Sequence, residues 1–398
     1  MIMVNQQSYD FGVEGSRIRD LHDYGCQRAA QVGWDNIFDF TIGNPSIPTP
    51  PEITREAVRL LDTCDPLSVH GYTTAVGDYE ARKAIAEDLN VRFSANATPE
   101  QLFLTCGAAP AMTAALKAII DPGQEVVLIA PFFPEYTPYI LSVGAVQKVV
   151  APDIPDFQIR LDTLENAITE KTAVVVLNSP NNPSGTVYSR ETLEKVAALL
   201  TRKSEQYGHT IYILADEPYR ELVYDGAVVP YIPAIYPNTL VLYSYSKSLS
   251  LPGERLGYVF VPETVTDSKA VYAAVVGAAR GLGHICAPSL WQQVIRSCAH
   301  LRPDMTQYEE NRKILLQGLL AAGYQVASPQ GAFYLFVRAP GDDAEKFCQK
   351  AAEKDLLVVP GDSFGCKEYF RLCYCVSREK ILRSVPVFEA LMTEYRLT

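Results

Sequence analysis

Short runs of consecutive apolar residues alternate along this chain with longer stretches whose apolar positions recur every three to four residues. Val126-Val127-Leu128-Ile129 and Val174-Val175-Val176-Leu177 are the clearest runs. Unbroken runs of this kind mark strands covered on both faces, as in parallel sheets. The pattern predicts strands over 102–105, 125–130, 146–150, 173–177, 210–215, 239–243 and 256–261, with helical periodicity over 108–120, 161–168 and 190–207. That succession is the βαβ rhythm of a mostly parallel, doubly wound sheet. After Pro288 the texture changes. One long amphipathic stretch covers 290–321, followed by strands over 332–337, 356–359 and 369–376 and a helix over 342–354. The expectation is an α/β fold: a large unit over 46–288, a smaller α+β unit over 289–398, and residues 1–45 packing on the smaller unit.

Composition narrows the class without changing this picture. Apolar residues make up 48% and charged residues 20% of 398 positions, which excludes a mainly disordered chain. The net charge of −11 argues against a nucleic-acid or anionic-membrane partner but leaves room for a local basic pocket. The longest uncharged stretch, 227–246, contains Pro230, Pro233 and Pro237 and is no spanning helix. The first fifteen residues carry no basic side chain, so they do not read as a signal peptide, and the expected location is the cytoplasm. The nine cysteines form no CxxC pair and read as reduced, buried thiols. Cys373 and Cys375 would share one face of a strand and point in directions that do not favour a bridge. The five histidines show no metal-ligand spacing, and no metal is expected.

Ligands of open α/β sheets bind beyond the carboxyl ends of the strands, and four such ends carry polar clusters. Cys106-Gly107-Ala108-Ala109-Pro110 follows the first strand, and its helix start offers free backbone N–H groups to an anion. Asn178-Ser179-Pro180-Asn181-Asn182-Pro183-Ser184-Gly185 follows another; alone it reads as a turn, although the Asn182 amide could donate to a phenolate oxygen. Asp216-Glu217-Pro218-Tyr219 places a carboxylate where burial demands a cationic partner, such as a protonated ring nitrogen. Ser244-Tyr245-Ser246-Lys247 is followed by Pro252-Gly253-Glu254-Arg255. A lysine amine near a second cation becomes a nucleophile towards carbonyls, while the hydroxyls and the Arg255 fork suit a phosphate.

With these residues in place, the sequence resembles the fold-type I pyridoxal-phosphate enzymes, specifically the class I/II, aspartate aminotransferase-like aminotransferases. SYSKSLSLPGERLGY (Ser244 to Tyr258) is similar to the family's SxSKxxxxPGxRxG lysine motif, NNPSG to its NNPTG motif and ADEPY to its DExY motif. FTIGNPSIPTPP, GYTTAVGDYEAR and FRLCY resemble its N-terminal glycine segment, its Tyr-to-Arg stretch and its substrate-arginine strand. The resemblance covers nearly the whole chain and implies roles by position. Lys247 would join the aldehyde of pyridoxal 5'-phosphate as a Schiff base, and Asp216 would pair with its ring nitrogen. Asn182 and Tyr219 would hold its phenolate oxygen, and Phe133 would stack on the ring. Gly107, Ala108, Ala109, Ser244, Ser246 and Arg255 would bind its phosphate. Tyr72 would reach that phosphate from a second subunit, implying a homodimer. Arg371 would grip the substrate α-carboxylate, with Gly43 permitting close approach and Asn182 beside it.

Ser184 stands where threonine is usual in the family, and Asn44-Pro45-Ser46-Ile47 departs from its usual glycine segment. The implied reaction is transfer of an amino group from an L-amino acid to a 2-oxo acid in ping-pong order. The rival readings are a C–S β-lyase or related synthase on the same cofactor and a non-catalytic effector-sensing domain.

Overall fold

The computed structural model describes residues 4–397. Two helices, Gln6–Glu14 and Arg17–Val32, lead into a short strand, β1 (Phe38–Asp39). Seven strands then build the central sheet: β2 (Leu102–Thr105), β3 (Glu125–Ile129), β4 (Val146–Val150), β5 (Thr172–Asn178), β6 (Tyr212–Asp216), β7 (Thr239–Ser244) and β8 (Gly257–Phe260). Their order is β2-β8-β7-β6-β5-β3-β4. The pairs β4–β3, β3–β5, β5–β6 and β6–β7 are parallel, while β8 runs antiparallel to both β7 and β2. All seven expected strands are present, with ends shifted by a residue or two.

The unbroken apolar runs exist because successive strand residues enter different cores. Val126, Leu128, Val174, Val176 and Leu214 pack under helices Ala108–Ile119 and Ser268–Leu282. Val127, Ile129, Val175, Leu177 and Ile213 pack under Leu161–Ala167 and Arg190–Tyr207 on the opposite face. The β2–β8–β7 edge is closed by helices Pro51–Thr63, Tyr79–Phe93 and Ser289–Cys298, through Ile53, Leu60, Ile85, Leu89, Val294 and Ile295.

The last of those helices corrects the sequence reading. The amphipathic stretch over 290–321 is two helices, Ser289–Cys298 and Thr306–Ala322. Between them lies Pro303, which lacks an amide hydrogen and disfavours helix in the residue before it. Only the second helix packs with the C-terminal core, through Leu315 and Leu319.

That core is organised around β9 (Tyr334–Arg338), β10 (Leu356–Leu357), β11 (Val359–Pro360) and β12 (Tyr369–Cys373), with β11-β12-β9 antiparallel. Helices Ala344–Ala352 and Arg378–Leu397 cover it, and Phe347 stacks on Phe370 at 4.5 Å. The N-terminal segment joins this unit: β1 pairs parallel with β10, and Arg28 Nε donates to Asp355 at 2.7 Å. Among the described residues no helix is long and apolar enough to cross a membrane.

The strand registers align the chemistry. Asn178 pairs with Asp216 at the ends of β5 and β6, and Ser244 pairs with Gly257. Because β8 is reversed, its first residue, and so the nearby Arg255, lies at the sheet edge where β5, β6 and β7 end. Arg371 sits mid-strand in β12, opposite Val359 on one side and Phe336 on the other, so two ladders fix its backbone.

Candidate active site

A cavity of about 370 Å³ opens over this sheet edge. Gly43, Ala108, Ala109, Phe133, Asn182, Asp216, Tyr219, Ser244, Ser246, Lys247, Arg255 and Arg371 all line it. Two expected site residues do not. Gly107 stands just behind the wall with φ of +100°, and a Cβ there would come within 3.0 Å of the Arg255 guanidinium. The glycine therefore serves both the turn and the close approach of Arg255. Tyr72 is 98% exposed and lies outside the cavity of its own chain.

Lys247 follows β7 in the short helix Tyr245–Ser248, which Ser244 caps by accepting the Ser246 amide at 3.2 Å. The two serine hydroxyls lie 2.7 Å apart. Lys247 Nζ donates to the Gly43 carbonyl at 2.6 Å. Burial pulls this amine below the usual lysine range; Cys375 and Cys373 oppose that shift, and Arg371 and Arg255 add to it.

Asp216 closes β6 and is buried. Its Oδ2 accepts the Tyr136 hydroxyl at 2.5 Å, and its Oδ1 has no hydrogen-bond partner among the described residues. Burial raises the carboxyl to about 6, against a lowering by Tyr136. Asn178 holds the strand end by donating to the Asp216 carbonyl at 2.8 Å, and its own Oδ1 accepts the Asn182 amide at 2.7 Å. Tyr219 and Tyr334 share a hydrogen bond at 2.8 Å between their hydroxyls.

Arg371 is buried, with Nη1 donating to Asn182 Oδ1 at 3.1 Å and Nη2 to the Thr41 carbonyl. Its guanidinium carbon lies 4.7 Å from the Tyr334 ring centre, and its Nε has no partner among the described residues. A Cβ on Gly43 would strike the Tyr334 hydroxyl and come within 3.1 Å of the Phe333 ring, so the glycine is required by packing.

Sequence reasoning missed several residues of this cavity. Tyr136 comes three positions after Phe133, in the first turn of the helix Tyr136–Ser142; that position after a strand end was the available signal. Asn178 was visible as the polar residue ending an apolar run. Tyr334, and Ile18 and Arg19 of the N-terminal helix, reach the cavity only through tertiary folding. The reading of Cys373 and Cys375 is also corrected: their Sγ atoms lie 2.6 Å apart. Strand β12 ends at Cys373, so Cys375 lies outside the regular strand spacing that would hold the two side chains apart. All nine cysteines are free thiols.

A partly buried lysine, an acid with an unpaired oxygen and an arginine fork meet at one α/β sheet edge, a donor set whose chemistry suits an anionic cofactor and a carboxylate substrate. The chain belongs to the family of aminotransferases of class I and II, whose family model matches residues 35–386. It is 31% identical to an aspartate aminotransferase of Thermotoga maritima, over 89% of this chain and 91% of that one. It is 29% identical to aromatic-amino-acid aminotransferase 2 of Thermococcus litoralis, over 97% of each. The crystal structure of an amino transferase from Eubacterium rectale superposes with a TM-score of 0.97 at 48% identity, covering 99% of this chain and 100% of the other. The protein is an enzyme, a pyridoxal-phosphate-dependent aminotransferase. These likenesses favour neither the C–S lyase nor the effector-sensing reading.

Proposed function

We propose that the cavity binds pyridoxal phosphate and an L-amino acid through the residues that line it, and that it passes the amino group to a 2-oxo acid in ping-pong order. The observation that carries this reading is the unpaired Oδ1 of buried Asp216, a polar atom left for a ring nitrogen. The remaining donors suit the same group. The first-turn amides of Ala108 and Ala109, the Ser244 and Ser246 hydroxyls and Arg255 match a phosphate. When bound, the cofactor supplies an electron sink that weakens the Cα–H bond of an amino acid.

The chain's own residues do the rest. Lys247 would bind the cofactor aldehyde, and its amine, held below the usual lysine range, would suit moving a proton to and from the substrate Cα. Asp216 Oδ1 would hold a proton on the ring nitrogen. Asn182 and Tyr219 would hold the phenolate oxygen, and Phe133 would stack on the ring. Arg371 clamps the substrate carboxylate, with the backbone at Gly43 close beside it. Tyr72, with Leu67 (83% exposed) on the same outer segment, supports a homodimer in which Tyr72 serves the neighbouring site. Free thiols support a cytoplasmic location.

The test is borohydride reduction of cofactor-saturated protein followed by peptide mapping, together with a half-reaction screen over the common amino acids. The expected results are a cofactor adduct at Lys247, lost in Lys247→Ala, and an oxo acid formed from at least one amino acid. An adduct at another lysine, or none, overturns the assignment.

A further inference from the structure

We propose that Cys373 and Cys375 form a dithiol that a hydroperoxide closes into a disulfide, and that closure weakens the substrate clamp at Arg371. The second half rests on the aminotransferase reading; the first does not.

Arg371 and Cys373 share one face of β12, and Cys375 follows two residues beyond its end. The Cys373 amide is anchored to the Phe40 carbonyl at 2.9 Å, and the Tyr374 amide to the Phe333 carbonyl at 3.0 Å. Cys375 lies just beyond the end of β12 with its sulfur 2.6 Å from that of Cys373, so a small rotation reaches the ~2.05 Å of an S–S bond. The pair lies directly behind the cavity wall: Cys375 Sγ is 4.0 Å from the carbonyl of Ile42, and Ile42 and Gly43 line the cavity. No step assigned above uses either sulfur.

The electrostatics divide the two thiols into a nucleophile and a proton donor. Burial would raise Cys373, but the hydrogen bonds from Cys375 and the charges of Arg371 and Lys247 hold it below the usual thiol range. Burial and its neighbour push Cys375 well above that range. The Cys373 thiolate attacks one peroxide oxygen; the O–O bond breaks, and the alkoxide or hydroxide takes up a proton. Cys375 sulfur then attacks the Cys373 sulfenic acid; the S–S bond forms, the S–O bond breaks, and hydroxide leaves with the Cys375 proton as water. Two thiols and one hydroperoxide give one disulfide, one alcohol (water, for hydrogen peroxide) and one water. An external dithiol reverses this by two exchanges.

The experiment uses full-length, cofactor-loaded enzyme treated with hydrogen peroxide, then alkylated and digested with trypsin. The expected result is that the peptide Leu372–Arg378 escapes alkylation, weighs two hydrogens less and returns to the dithiol form with dithiothreitol. In parallel, KM for the amino donor rises about tenfold, as expected for a disturbed charged hydrogen bond, with a smaller change in kcat. Cys375→Ser retains activity when untreated and shows no peroxide-dependent rise in KM. Cys375→Ala serves if the serine variant fails to fold. Full alkylation of both cysteines after peroxide overturns the proposal, as does an equal KM rise in wild type and variant. Protein that forms the disulfide but transaminates no amino acid refutes the aminotransferase reading and leaves the thiol chemistry standing.

Discussion

Replacing Asp216 by Asn separates the cost of a buried charge from its use. The wild-type carboxyl is raised from 3.8 to about 6 by burial, so the folded state binds more protons than the unfolded one. The sign follows: the contribution to stability is fully present below pH 3.8 and is lost as pH rises through about 6. Two units at ~1.36 kcal/mol each make the ionised carboxylate cost about 3 kcal/mol at pH 8, and about 1.6 kcal/mol at pH 5. Asn keeps the shape and an acceptor for Tyr136 but does not titrate. Cofactor-free Asp216→Asn should therefore exceed wild type in stability, with a gap that widens by roughly 1.4 kcal/mol between pH 5 and pH 8. Urea unfolding at the two pH values reads this; the Asp216 charge also adds the smallest of the upward pushes on Glu217 beside it, and losing that push in the variant widens the gap in the same direction. The same variant should turn over at least ~100-fold more slowly once loaded, because a neutral amide cannot hold the ring proton. A gap that stays constant or narrows with rising pH would refute the reasoning.

Three further outcomes follow from the same geometry. Arg371→Lys replaces a fork by a point charge and loses about 1.5–3 kcal/mol of charged hydrogen bonding; KM for the amino donor should rise roughly 10–100-fold, while cofactor affinity of the free protein, read by equilibrium titration, stays unchanged. Gly43→Ala drives a methyl group against the Tyr334 hydroxyl and the Phe333 ring; thermal unfolding should register a loss of about 1–3 kcal/mol, and an unchanged Tm would contradict the close approach. Tyr72→Phe should loosen cofactor binding several-fold if its hydroxyl serves a neighbouring site, and mixing it with Lys247→Ala chains should regenerate one intact site per hybrid dimer, measured as recovered activity.

The parts legible in the sequence are those whose cause is local. Val126–Ile129 and Val174–Leu177 betray strands because both faces are covered, and Gly107, Asn182, Asp216 and Lys247 stand at the carboxyl ends of β2, β5, β6 and β7, where an open α/β sheet places its chemistry. The contents of the cavity that were missed have non-local causes. Tyr334 reaches Tyr219 because β9 pairs with β12, and Tyr136 reaches Asp216 from the helix after β3, across the intervening β5; neither follows from periodicity. The helix Ser289–Cys298 was grouped with the wrong core because its amphipathic period continues past Pro303 into the next helix. The closeness of Cys373 and Cys375 is not legible in the sequence because β12 ends at Cys373 and regular strand spacing does not extend to Cys375.

The carbonyls of Thr41 and Gly43, met by Arg371 and Lys247, come from a segment anchored to β10. On a ribosome, the seven central strands are available once Phe260 has cleared the exit tunnel, whereas Arg371 emerges more than a hundred residues later. The sheet edge bearing Lys247 and Asp216 is thus encoded, and emerges, ahead of the strand that carries Arg371.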